Sequence, residues 1–293
     1  MDLRAERVKY TVAVLLYGTI GMFLRLSGTP SDAAAMFRGF LGSVFILVYL
    51  RLRGGSIDRE AVRRNLKWLL IGGISLGLNW IFLFEAYLRT TVAIASLCNY
   101  LAPLIVVLIA PVVLKERTDI RKLPLVAAAF AGIVLVSGFW NGSAGSVSGV
   151  LMGIGAAVWF VFIVISNRKI SGVSSLDKSA FQLAVSALTI LPVVLIKDCG
   201  TALFPDLRSL LIIIMLGVLH TGVAYILYFS GMGSLPVHTV AVLGYLEPVV
   251  SVLRSVFFLR ERMDAAGWVG SVLIIGAAAA SELLPDREKQ DTG

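Results

Sequence analysis

Four ionisable residues lie within long apolar stretches of the sequence and are candidates for binding a small charged molecule: Arg38, Glu85, Glu247 and Arg254. Glu247 and Arg254 are seven residues apart, so in a helix they share one face but are too far apart to pair with each other. Such a face suits an amino acid, with its ammonium group near Glu247 and its carboxylate near Arg38 or Arg254. The alternative is structural, with these residues forming ion pairs between helices that lock the bundle.

Two of the titratable residues are candidates for carrying a proton. Glu247 is the stronger one, because a carboxyl group that is removed from water holds its proton more readily. His220 also lies in the middle of an apolar stretch, and an imidazole changes its charge near physiological pH. A histidine with only structural hydrogen bonds is the alternative for His220. We predict proton coupling through Glu247 and His220.

Uncharged side chains near the middle of the apolar stretches complete the predicted binding site. Aromatic rings in a cavity can stack on a ring or hold a cation, whereas the alternative role for them is packing within a helix bundle. The predicted substrate-binding residues are Arg38, Asn79, Trp80, Tyr100, Tyr225, Tyr245, Glu247 and Arg254.

The composition indicates that these residues are positioned by helices in a lipid bilayer. Of the 293 residues, 58% are hydrophobic and 15% charged, and the mean hydropathy is +0.88, which excludes an ordinary soluble enzyme and a disordered chain. Because a spanning helix needs about 20 apolar residues, we predict ten spans. They cover residues 9–27, 31–51, 67–88, 91–114, 122–140, 147–167, 176–196, 208–229, 235–259 and 264–284.

The distribution of basic residues predicts the orientation of the spans. With the N-terminus in the cytoplasm, 18 of the 26 Lys and Arg residues fall on the inner side and 6 on the outer side. Basic residues favour the cytoplasmic side of a membrane. We therefore predict a multi-pass protein of the bacterial inner membrane. Its short tails, 1–8 and 285–293, are predicted to lie in the cytoplasm.

The sequence repeats itself after 145 residues. Between 92–119 and 237–264, 10 of 28 positions are identical, where roughly two or three would match by chance. The matched motifs include Tyr100–Pro103 with Tyr245–Pro248. We predict two five-helix repeats, 9–140 and 147–284. An odd number of spans inverts the second repeat, and inverted repeats are typical of secondary transporters that bind their cargo near the bilayer midplane.

Some polar residues occur in one repeat only. Glu247 aligns with Ala102, and Arg38 aligns with Gln182. A scaffold that accepts an uncharged residue in one copy does not need the charge in the other. We therefore attribute such charges to cargo or to coupling.

Several of these features together resemble a known family. Ten spans in two repeats, the Arg of Met36–Arg38, the Tyr245–Val249 motif and the paired Leu-x-Glu-Arg segments at 114–117 and 259–262 are similar to the drug/metabolite transporter superfamily, EamA type. The resemblance covers nearly the whole chain. It implies an all-α integral membrane fold and export of a small metabolite, without naming the cargo.

The predicted function is that of a secondary active transporter. It is expected to export amino acids or related small metabolites by alternating access, coupled to protons. Other cargoes on the same fold are the alternative: cationic drugs, sugar phosphates or lipid-linked sugars. We expect no enzymatic activity, cofactor, metal or nucleic-acid partner, because the chain has no catalytic or phosphate-binding motif and only two His and two Cys. The expected partners are the substrate, the lipid bilayer and a proton, and the sequence leaves the oligomeric state open.

Overall fold

The chain folds into an all-helical bundle. The computed structural model describes residues 3–55, 58–113, 120–137, 144–197 and 203–284. Every regular element in these ranges is helical, which confirms the predicted all-α class. The first Leu-x-Glu-Arg motif, at 114–117, lies outside the described residues.

The first seven α-helices occupy the N-terminal part of the chain. They are α1 (Leu3–Tyr17), α2 (Ile20–Ser27), α3 (Ser31–Leu52), α4 (Arg59–Arg64), α5 (Leu66–Arg89), α6 (Val92–Asn99) and α7 (Ala102–Val113). The remaining eight are α8 (Leu123–Ser137), α9 (Ala144–Lys169), α10 (Ser175–Lys197), α11 (Leu207–Gly217), α12 (Ala224–Ser234), α13 (Val237–Gly244), α14 (Leu246–Phe257) and α15 (Ala265–Leu283).

Seven helical segments in the described ranges are long and apolar enough to cross a bilayer. They are Leu3–Ser27, Ser31–Leu52, Leu66–Arg89, Val92–Ile109, Val147–Lys169, Ser175–Lys197 and Leu207–Ser234. Two shorter apolar helices, Leu123–Val136 and Ala265–Ser281, coincide with predicted spans, as do the consecutive helices α13 and α14. The membrane class is therefore confirmed, and the total of ten spans stays a prediction.

Two of the predicted spans are broken at equivalent places. Helix α6 ends before Tyr100 and α13 ends before Tyr245, which are 145 residues apart, and α7 and α14 follow directly. Pro103 and Pro248 lie in the first turn of α7 and α14, where a residue without an N–H group costs no helical hydrogen bond. The repeated motif thus encodes an interrupted helix, the kind of element that forms substrate sites in transporters.

The packing of the helices follows a two-fold pattern. Helix α5 packs along α9. The pair of α1 with α12 is the same contact with the two repeats exchanged. The pairs α3 with α10, α6 with α14 and α8 with α15 join helices in matching positions. The α8–α15 contact requires glycine, since a Cβ on Gly132 would lie 2.8 Å from the carbonyl oxygen of Gly270.

A π-helical segment, Val218–Val223, separates α11 from α12. In this segment the Thr221 hydroxyl donates to the carbonyl oxygen of Leu216, five residues earlier, at 2.9 Å. The side chain of His220 lies 2.9 Å from the Thr19 hydroxyl, at the break between α1 and α2. Because π-segments redirect side chains, this one places Thr221 toward α3.

Candidate functional site

A cavity of about 430 Å³ lies between the helices of the two halves. Its size and partly aromatic walls are typical of a site for a small molecule. The aromatic lining residues are Tyr17, Trp80, Phe84, Tyr87, Phe160, Tyr225, Tyr228 and Phe229. The polar and charged ones are Arg38, Asn79, Asn99, Asn167, Lys178, Ser179, Gln182 and Glu247.

Arg38 is held in the cavity wall by an aromatic ring and by the π-helical segment. Its guanidinium carbon lies 4.3 Å from the centre of the Trp80 ring, a cation–π contact. Its Nε donates to the Thr221 hydroxyl at 2.8 Å. Only 6% of Arg38 is exposed, and no described carboxylate lies within 4.0 Å of it. The two Nη groups are therefore available to an anion in the cavity.

Glu247 lies in the first turn of α14, directly after the break at Tyr245. The Tyr100 side chain, which comes from the equivalent break in the other repeat, lies beside its carboxylate. No Lys or Arg of the described ranges lies within 4.0 Å of it. Glu247 is therefore the negative counterpart of Arg38 in the same cavity.

Asn79 and Trp80 are adjacent in α5 and differ in role. The Asn79 amide donates to the Asn99 side chain at 3.0 Å and to the carbonyl oxygen of Ala156 at 2.8 Å, so it ties α5 to α6 and α9. Trp80 stacks on Phe84, with ring centres 6.3 Å apart and planes 3° apart. Both residues line the cavity, but the Asn79 amide nitrogen already donates two hydrogen bonds within the protein.

A group of tyrosines forms another part of the wall. The ring of Tyr17 lies 5.9 Å from Tyr225 and 5.8 Å from Tyr228, in edge-on and tilted arrangements. Tyr10 extends the group through Tyr228, at 4.9 Å. These contacts join α1 to α12 and leave ring surface facing the cavity.

Four of the predicted site residues do not line the cavity. Arg254 is next to Phe258, its guanidinium 4.5 Å from that ring centre, although it shares a helix with Glu247. Tyr245 packs against the apolar cluster built by α6 to α9 and α15. His220 is 1% exposed and is bonded to Thr19, as a structural histidine would be. Tyr100 does not line the cavity either, but it contacts the site through Glu247.

Glu85 belongs to an ion-pair network and not to the site. Its carboxylate pairs with Arg89 at 2.7 Å and with Lys197 at 3.6 Å. Lys197 also pairs with Asp32 at 3.0 Å, linking α5, α10 and α3 at one end of the bundle. Among the ionisable residues of the apolar stretches, the structural alternative thus applies to Glu85, while Arg38 and Glu247 line the cavity.

The sequence analysis missed several lining residues. Lys178 counted there only as one of the basic residues that set the orientation. Gln182 appeared only as the repeat partner of Arg38, yet both line the cavity. Their alignment was a usable signal, because equivalent positions in two repeats that enclose one cavity tend to face it. Asn167 gave no signal in the sequence.

The arrangement suits binding rather than bond chemistry. The cationic Arg38 and the anionic Glu247 face a partly aromatic cavity, each without a charged partner within 4.0 Å in the described part of the chain. Within the same ranges no group of three or more His, Cys, Asp or Glu residues could hold a metal ion.

The known proteins to which this chain is similar are transporters by family or by name. The EamA-like transporter family matches residues 10–138 and 147–281. A Bacillus subtilis protein named uncharacterized transporter YxxF is 25% identical over 93% of this chain and 88% of its own. The aromatic amino acid exporter YddG of Ancylobacter novellus is 31% identical over 70% of this chain and 72% of its own.

A solved crystal structure supports the fold. It covers 94% of this chain and 96% of its own, with a TM-score of 0.67 and 23% sequence identity. Together with the family match over most of the chain and the long apolar helices, this makes the protein a multi-pass membrane transporter with a small-molecule substrate. The chain belongs to the EamA-like transporter family.

Proposed function

We propose that this transporter exports amino acids or closely related small metabolites, coupled to protons, by alternating access. The observation that carries the proposal is the pair of opposite charges in one cavity. Arg38 and Glu247 both line it, and neither has a charged partner within 4.0 Å in the described residues. A zwitterion supplies a partner for each.

The geometry of Arg38 favours a carboxylate. Since Thr221 takes the Nε hydrogen bond, the Nη1 and Nη2 groups are left for two parallel hydrogen bonds to an anion. Trp80 fixes the plane of the guanidinium, which reduces the conformational entropy that binding would cost. A charge inside a membrane protein is expensive to bury without a partner, and this is the main reason to assign Arg38 to the cargo.

Glu247 is the proposed site for the ammonium group and, in turn, for the proton. The hydroxyl of Tyr100 is a polar group beside this carboxylate at the cavity. If the proton and the ammonium group compete for this one carboxylate, a proton that enters from the outer side displaces the cargo, which is then released to that side. Such competition couples the two fluxes in opposite directions.

The aromatic walls favour a cargo with an apolar or aromatic side chain. Trp80, Phe84 and Tyr225 offer ring surface beside the charged pair. The relative named aromatic amino acid exporter YddG supports the same substrate class. Phenylalanine is therefore the first cargo to test.

Two topological statements belong to the same proposal. We propose that the repeats, 9–140 and 147–284, have opposite orientations and that both termini lie in the cytoplasm. The bias of Lys and Arg residues supports this orientation. The accessibility of single cysteines placed at each end to a membrane-impermeant thiol reagent tests it.

The transport experiment uses purified protein in proteoliposomes. The vesicles are loaded with a pool of amino acids and biogenic amines that includes phenylalanine and phenethylamine, which differ by a carboxylate, and a pH gradient is imposed. The variants are Arg38→Gln and Glu247→Gln. Arg254→Gln and Glu85→Gln are the matched controls, because they remove the same charges outside the cavity.

We expect exchange of at least one amino acid, driven by the pH gradient in the wild type and in both controls. Arg38→Gln should reduce the transport of amino acids but not that of the amine. Glu247→Gln should abolish proton coupling. If no amino acid moves, the substrate assignment is wrong. If the amines move and Arg38→Gln has no effect, the cargo is cationic, which is the alternative function.

A further inference from the structure

A second cationic side chain lines the cavity at one end. Lys178 is in the first turn of α10, close to where α9 ends at Lys169. It is half-buried, so its side chain faces both the cavity and the solvent. The predicted orientation places this end on the cytoplasmic side. Lys178 therefore marks the mouth through which cargo for export would enter.

The ammonium group of Lys178 has no counter-ion in the described part of the chain. No carboxylate of the described ranges lies within 4.0 Å of it. Gln182 follows one turn later on the same face of α10, and its amide donates to the Asn167 side-chain oxygen at 2.9 Å. This bond leaves the Asn167 amide hydrogens as further donors beside the cavity. The mouth thus presents one positive charge and additional N–H donors.

The mouth is separate from the Arg38 site. Ser186 packs against Gly39, the neighbour of Arg38, because its hydroxyl oxygen lies 3.1 Å from where a Cβ of Gly39 would be. Lys178 precedes Ser186 by eight residues, which is about 12 Å along a helix. A single carboxylate, only about 2 Å across, does not reach both positions at once. Two places for an anion therefore follow each other along the cavity.

We propose that Lys178 and Asn167 form an access subsite that binds the carboxylate of the cargo before it moves to Arg38. This subsite rests on the proposed function, since it presumes a cargo with a carboxylate. A cation in a partly apolar cavity raises the local concentration of an anionic group and speeds its arrival. Because the subsite lies on the path and not at the end of it, it changes the rates of binding and release together.

The test is the kinetics of binding to the purified full chain. Binding of the best amino acid, and of the amine that lacks its carboxylate, is followed by tryptophan fluorescence in a stopped-flow instrument at several salt concentrations. Trp80 lines the cavity and reports the bound state. The variants are Lys178→Gln and Lys178→Arg. Lys169→Gln is the control, because it removes an exposed lysine from the same end without changing the cavity.

We expect Lys178→Gln to lower the association rate constant for the amino acid by about threefold to tenfold at low salt. The equilibrium Kd should change by less than about twofold, and the salt dependence of association should decrease. Association of the amine should not slow, since Lys178 repels it. Lys178→Arg should keep most of the wild-type rate, and Lys169→Gln all of it.

The outcomes separate the two proposals. A wild type that binds no amino acid refutes the proposed function and the access subsite with it. A wild type that binds, with Lys178→Gln and Lys169→Gln indistinguishable, refutes the subsite alone. A Kd that weakens while the association rate stays constant also refutes it, because Lys178 then contacts the finally bound cargo.

Discussion

Glu261 joins both halves of the transporter at the predicted outer end through an ion pair with Arg25 and two hydrogen bonds, and we expect the hydrogen bonds to contribute most of its stabilising effect. Arg25 Nη1 lies 2.6 Å from Glu261 Oε1. Glu261 Oε2 accepts hydrogen bonds from the backbone N–H of Val92 at 3.0 Å and from the Ser255 hydroxyl. Glu261 therefore caps the start of α6 from the loop between α14 and α15.

The structure gives the size of the effect of Glu261→Ala. The substitution leaves the Val92 N–H group and the Ser255 hydroxyl without their acceptor, at a cost of about 1–2 kcal/mol each. The side chain of Arg25 is 31% exposed, so its lost ion pair adds only about 0–1 kcal/mol. The total is about 2–5 kcal/mol. Glu261→Gln keeps an acceptor oxygen and should cost about 1 kcal/mol.

Thermal unfolding in detergent micelles, followed by tryptophan fluorescence, measures these differences. At about 2 °C per kcal/mol for a chain of this size, Glu261→Ala should lower the Tm by roughly 4–10 °C. Glu60→Ala is the matched control, because Glu60 forms an exposed pair with Arg64 at 3.9 Å and should change the Tm by less than about 1 °C. Equal Tm values for the two alanine variants would refute the reasoning.

Two further predictions concern residues that support the site. Thr221→Val removes the acceptor of the Arg38 Nε hydrogen bond, so binding of an amino acid should weaken by about threefold to tenfold while binding of the corresponding amine stays unchanged. Thr221→Ser keeps the hydroxyl and should retain the wild-type affinity. Equal effects on both ligands would exclude a role through Arg38. Asn79→Leu removes the hydrogen bonds to Asn99 and Ala156 and should destabilise the protein by about 1–3 kcal/mol in the same thermal assay, whereas an unchanged Tm would mean that water replaces the amide.

The sequence analysis did not predict the interruption of two spans. The repeat drew attention to the Tyr-Leu-x-Pro motif, yet both segments were predicted as continuous. Proline is compatible with the first turn of a helix as well as with a kink, so composition alone does not distinguish the two. The break matters for function, because it places Glu247 in the first turn of α14 and Tyr100 beside it.

The amino-acid sequence by itself determined the membrane class, the repeat and the family resemblance, because each depends on apolar length and on local motifs. It did not determine which charges share a cavity. Arg254 shares a helix with Glu247 but contacts Phe258, while Arg38 reaches the cavity through Thr221 of a distant π-helical segment. Periodicity fixes only which residues share a face of one helix. The partner of each face is set by the packing of helices far apart in sequence, and only the tertiary structure shows it.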